Sequence, residues 1–117
     1  MKTRCLIACT NEVIMIGLKS MLSKQSDMEC IGMYSDKEVD LRSLVDRAQP
    51  HVLVIDQYLK DHSYFPGLFL NNHASELLVI VLENDQNRIQ IFQKGERFLS
   101  SNSDLISEIR YRGGVHG

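Results

Sequence analysis

At 117 residues, 44% hydrophobic and 24% charged, the chain can bury one core, and no composition shift marks a second. A formal net charge of −2 with scattered basic residues, densest at Arg110 and Arg112, lacks the basic stripe of a nucleic-acid reader. The apolar run from Cys5 to Cys9 is too short for a secretory signal or a membrane span, so a cytoplasmic protein is expected. Cys5, Cys9 and Cys30 lie in apolar runs and read as small buried hydrophobes in a reducing compartment. Neither they nor the four histidines match a zinc spacing.

In chain order, "RCLIAC" (4–9) is a continuous apolar run, as in a strand buried on both faces. Thr10 or Asn11 is a candidate N-cap for a helix carrying Val13, Ile14, Gly17, Leu18, Met21 and Leu22. "MECIGMY" (28–34) reads as the second strand. Ser35 or Asp36 would then cap a helix with Val39, Leu41, Leu44, Val45 and Ala48, stopped at Gln49-Pro50. "HVLVID" (51–56) is the third strand, and it ends on Asp56. Pro66-Gly67 marks a turn or helix start, with "GLFLNN" a short helix. "LLVIVL" (77–82) is the fourth strand. A helix with Ile89, Ile91 and Phe92 is expected next, ending at Lys94-Gly95. "RFL" (97–99) is a short fifth strand, and Ser101 or Ser103 starts a last helix with Leu105, Ile106 and Ile109 on one face. Residues 1–112 form the expected domain, and 113–117 a tail or the start of a linker.

Short apolar strands alternating with helices predict an α/β fold. It is flavodoxin-like: a five-stranded parallel sheet of order 2-1-3-4-5 with helices on both faces. In such sheets the working site lies beyond the carboxyl ends of the central strands, where Cys9, Thr10, Asp56 and Glu83 fall. A carboxylate ending a buried strand must be solvated, paired or used for chemistry.

The order and spacing of "RCLIACTNEVIMIGLKSML", "QPHVLVIDQYL", "LLVIVLEND" and "KGERFL" resemble the receiver domain of bacterial response regulators, especially the NarL/LuxR type with a helix-turn-helix output domain. The resemblance covers nearly the whole chain and carries the phosphoacceptor role onto Asp56. It also implies where the chain departs from the family. The acidic pair that would hold magnesium reads Cys9 and Thr10, which hard magnesium does not favour over carboxylates and water. Glu12, just downstream, suits the helix N-terminus. The switch hydroxyl position holds Glu83, an anion that accepts but does not donate. The lysine position falls on Ser101, removing a cation for a phosphoryl group. Lys60 stands near the place of the usual proline.

These departures lead to a pseudo-receiver: a non-enzymatic signalling module, with no cofactor and no metal, in which Asp56 is vestigial as a phosphoacceptor. The resemblance implies a homodimer, or a heterodimer with a related regulator. It implies DNA contact only through an output domain outside this chain, and no membrane. Leu105, Ile106, Ile109 and Tyr111 are the candidate dimer face, against the alternative that the stripe packs on the sheet. Two other functions stand beside this one. The first is a receiver still phosphorylated on Asp56. The second is a small flavodoxin-like redox or ligand-binding protein using a Cys9 thiolate, although no GxGxxG or P-loop pattern follows the first strand.

Overall fold

The computed structural model describes residues 2–62, 77–83, 87–93 and 96–113. Strands β1 (Thr3–Ala8), β2 (Met28–Tyr34), β3 (Val52–Asp56) and β4 (Leu78–Leu82) pair in parallel in the order 2-1-3-4. The apolar runs of β1, β3 and β4 are continuous because both sheet faces are covered there, while β2 lies at the sheet edge and is only partly buried. Residues from β1, β3 and β4 alternate between two cores. Cys5, Ile7, Val52, Val54, Leu78 and Ile80 point to the face covered by helices α1 (Glu12–Ser23) and α4 (Leu105–Arg112). Leu6, Ala8, Leu53, Ile55, Val79 and Val81 point to the face covered by α2 (Leu41–Ala48) and α3 (Gln57–His62).

Local chemistry sets the helix ends. The Asn11 side chain accepts from the Val13 and Ile14 amides at 3.0 and 3.2 Å and starts α1, one of the two expected caps. The cap of α2 is Asp40, whose carboxylate accepts from the Ser43 amide and hydroxyl. This corrects the expectation of Ser35 or Asp36, because the chain first makes a turn in which Asp36 accepts from the Glu38 amide. Gln49 ends α2 in the left-handed region, at φ 49°, ahead of Pro50.

The expected helix over Ile89–Phe92 is instead β5 (Arg88–Gln93), antiparallel to β4, followed by β6 (Glu96–Ser101), antiparallel to β5. The sheet therefore has six strands, order β2-β1-β3-β4-β5-β6, rather than five parallel ones. The reason is period: Ile89 and Ile91 both sit in the α1/α4 core, while Phe92 turns to the opposite face. A helix would have put Ile89 and Phe92 on one side. The expected fifth strand keeps its direction but becomes the sixth, with β5 between it and β4.

Ser101 caps a 3-10 turn (Asn102–Asp104) that leads into α4. Leu105 and Ile109 anchor α4 in the core, and Ile106 packs half-buried against it. Arg110 ties α4 to the turn before β2 through two bonds to Asp27, at 2.7 and 3.0 Å. Gly113, counted with the tail by sequence, packs on the first residues of β3 and β4, where a Cβ would lie 2.6 Å from Val52 and 3.0 Å from Leu78. The expected segment "GLFLNN", the turn Pro66-Gly67, the Lys94-Gly95 cap and the last four residues lie outside the described residues. Among the described residues, no helix is long and apolar enough to cross a membrane.

Candidate functional site at the carboxyl edge of the sheet

The fold brings Cys9, Thr10, Asp56 and Glu83 to one edge, where β1, β3 and β4 end. Asp56 is 6% exposed, and both of its carboxylate oxygens are engaged. One accepts from the Thr10 amide at 2.6 Å and the Thr10 hydroxyl at 2.5 Å. The other accepts from the Leu59 amide at 3.0 Å, which caps the first turn of α3. Hydrogen bonds to an ionised acceptor are short and strong, so the carboxylate ties the β1–α1 connection to the start of α3. Thr10, read from sequence as a lost magnesium ligand, is a hydrogen-bond donor to the acceptor residue.

Cys9 is fully buried, and burial pushes its thiol up to about 12, with the Asp56 charge adding to the effect. A buried thiol held neutral in this way supplies little of the thiolate that the redox reading requires. Glu12 sits exposed in the first turn of α1. Among the described residues no three His, Cys, Asp or Glu side chains come together as a metal cluster.

Glu83 follows Leu82, the β4 partner of Asp56, but its carboxylate is held by side chains of β5. Arg88 bonds it at 2.8 Å and Gln90 at 3.0 Å. The Arg88 bond holds the Glu83 carboxyl below its ordinary range, against the next largest effect, burial, which raises it, and the Gln90 bond lowers it further by a lesser amount. Gln90 is itself buried and also accepts from the Lys60 ammonium at 3.2 Å and donates to the Gln57 side chain at 3.3 Å. Lys60 therefore points to Gln90 and Phe92, not to Asp56. Sequence reasoning missed Gln90 and Arg88. The signal available was the alternation Ile89-Gln90-Ile91, which places one polar side chain on the α2/α3 face.

Ser101 does end its strand at the same edge as Asp56. The sheet order puts it three strands away, roughly 14 Å at ordinary strand spacing. A side chain there cannot serve a group on Asp56, so the lysine position assigned to Ser101 is displaced by the inserted β5. Of the expected dimer face, Leu105 and Ile109 are core residues and Ile106 is half-buried, so the stripe packs on the sheet. Tyr111 alone of the four is open to solvent, at 80%.

No family model matches the chain, and no curated protein matches it. Among solved structures it is similar to RcsB from Salmonella enterica serovar Typhimurium, solved bound to promoter rprA in the presence of phosphomimetic BeF3-. The TM-score is 0.51 at 20% sequence identity, covering 74% of this chain and 45% of that one. The chain thus spans less than half the length of the chain it matches. The likeness shows a receiver-type α/β fold, here with a mixed six-stranded sheet.

Proposed function

We propose that the chain is a receiver-like signalling module whose state is not set by phosphorylation of Asp56. In this reading it is no enzyme. It acts in the cytoplasm by pairing with a second copy or a related regulator, to control a helix-turn-helix output domain beyond these residues. The likeness to RcsB, solved on promoter DNA, supports placing the module in a regulator of transcription.

One observation carries the reading: three internal donors engage both oxygens of a buried Asp56 carboxylate. A phosphoacceptor needs a free oxygen as nucleophile and a divalent cation to neutralise the transferred group. Asp56 instead spends both oxygens on Thr10 and Leu59, and the two β1-end positions supply a neutral thiol and a hydroxyl. The phosphorylatable alternative would need Thr10 to let go and a cation to bind without its acids.

A titration with beryllofluoride and magnesium, followed by amide resonances, tests this reading. The Thr10, Asp56 and Leu59 signals are expected to stay in place. A saturable shift of these amides in the low millimolar range would sink phosphorylation independence.

A further inference from the structure

Cys5 and Cys30 read in the sequence as unrelated small hydrophobes, yet the fold sets them side by side. They are directly paired residues of the parallel strands β1 and β2. Both face the core covered by α1 and α4, where Cys30 packs against the cluster that contains Cys5. Neighbouring strands run about 4.8 Å apart, inside the roughly 4.4–6.8 Å between Cα atoms that a disulfide spans. The ladder breaks immediately beyond the pair, because Leu6 pairs with Gly32 and passes over Ile31. A bulge bends its strand locally, which gives the pair room to adjust. In the reduced chain each thiol has a carbonyl of its own. Cys5 Sγ donates to the Thr3 carbonyl at 3.9 Å, and Cys30 Sγ to the Gly32 carbonyl at 3.4 Å. Thiols are weak donors, so little holds either sulfur from turning to the other.

We propose that Cys5 and Cys30 are a dithiol site for peroxide-class oxidants, closing to a disulfide that ties the edge strand β2 to β1. Cys30 reacts first, because it is half-buried on an edge strand while Cys5 is fully buried. Its thiol takes one oxygen from hydrogen peroxide to become a sulfenic acid, and the peroxide leaves one water. The Cys5 sulfur then attacks the Cys30 sulfur. The sulfenic hydroxyl departs with the Cys5 proton as a second water, so the two electrons of the new S–S bond's formation have gone to the peroxide. Burial pushes the Cys5 thiol up to about 12, with Cys30 the next cause, and burial raises Cys30 as well. The resting pair is therefore slow to react, and closure needs an excess of peroxide. Cys9 lies four residues further along the chain, about 13 Å at strand rise, too far to compete for Cys30. The pair sits apart from the Asp56 edge, so this site and the function proposed above stand or fall separately.

Peroxide treatment of the folded 117-residue chain, then denaturation and maleimide labelling, tests the proposal. The reduced chain, with its three free cysteines, should take three maleimides, and the oxidised chain one, on Cys9. Dithiothreitol should restore three, and a non-reducing peptide map should join the Cys5 and Cys30 peptides of one chain. Cys30→Ser should show no link. Cys5→Ala should stop at a Cys30 sulfenic acid that dimedone labels, while Cys9→Ala should still close the link. Far-UV circular dichroism should be unchanged by closure, and the urea midpoint should rise, because the link closes α1 into a loop of the unfolded chain. Three maleimides after peroxide, or a link that forms only in urea, would overturn the proposal. So would a map joining Cys30 to Cys30 of a second chain.

Discussion

Asp56→Ala removes an acceptor that three donors share, and the sign of its effect separates a structural carboxylate from a catalytic one. Each bond to an ionised group is worth about 1.5–3 kcal/mol. Part of that sum is returned, because Thr10 is half-buried and its amide and hydroxyl can reach water once the carboxylate is gone. The buried Leu59 amide has no such recourse, and leaving it unpaired costs about 1–3 kcal/mol. Relief from burying the Asp56 charge offsets a further part. The net expectation is a loss of about 2–4 kcal/mol for Asp56→Ala, a fall in Tm of roughly 10 °C. Asp56→Asn should lose less, about 1–2 kcal/mol, since one oxygen still accepts but the new amide faces a donor. Thr10→Val should cost about 1 kcal/mol, and Thr10→Ser almost nothing. Urea denaturation of the four variants provides the comparison. In a phosphoacceptor pocket crowded with carboxylates, removing one charge relieves repulsion and stabilises the fold. A neutral or stabilising Asp56→Ala would therefore refute the capping role.

Gly113→Ala should destabilise the chain by about 1–3 kcal/mol, because the new methyl would sit 2.6 Å from a fully buried Val52. Combining it with Val52→Ala in a double-mutant cycle should recover part of the loss, and strict additivity would contradict the close packing. His51 accepts the Arg4 amide on Nδ1 at 2.9 Å, and its pKa is held below the ordinary value by burial, with the Arg4 charge second. A depressed histidine pKa means that the unfolded chain binds the proton more readily. The stabilisation is therefore complete above the unfolded value, near 6.5, and is lost as pH falls. Urea midpoints should fall between about pH 7.5 and 5.5, above the carboxylate range, and His51→Asn, which keeps an acceptor, should flatten that dependence. An equal fall in both proteins would exclude His51 as its source.

Continuous apolar runs made β1, β3 and β4 legible in the sequence, because a strand covered on both faces leaves no polar alternation to confuse with a helix. Asn11 was legible as one of two caps, since the short polar side chain is followed by an apolar helical stripe. The segment "RIQIFQ" was not, because Ile89 pairs with Ile91 at strand spacing and with Phe92 at helix spacing. Burial of Gln90 settles it in the fold, through partners on α3 and at Glu83 that no local pattern announces. That error moved Ser101, since its assigned role assumed a strand lying directly beside β4. Asp56 was found as the residue to watch, while its partner Thr10 lies 46 positions away and was noted only for what it cannot ligate. The apolar stripe of α4 was real but packs inward, and the unmatched apolar side chains lie on α1.

The most direct measurement is intact-mass spectrometry of the chain after incubation with acetyl phosphate and magnesium, beside Asp56→Asn. A carboxylate committed to Thr10 and Leu59 should gain no phosphoryl mass, and the two proteins should give the same spectrum. A single phosphoryl increment on the natural chain that is absent from Asp56→Asn would make Asp56 a working acceptor and contradict phosphorylation-independent signalling.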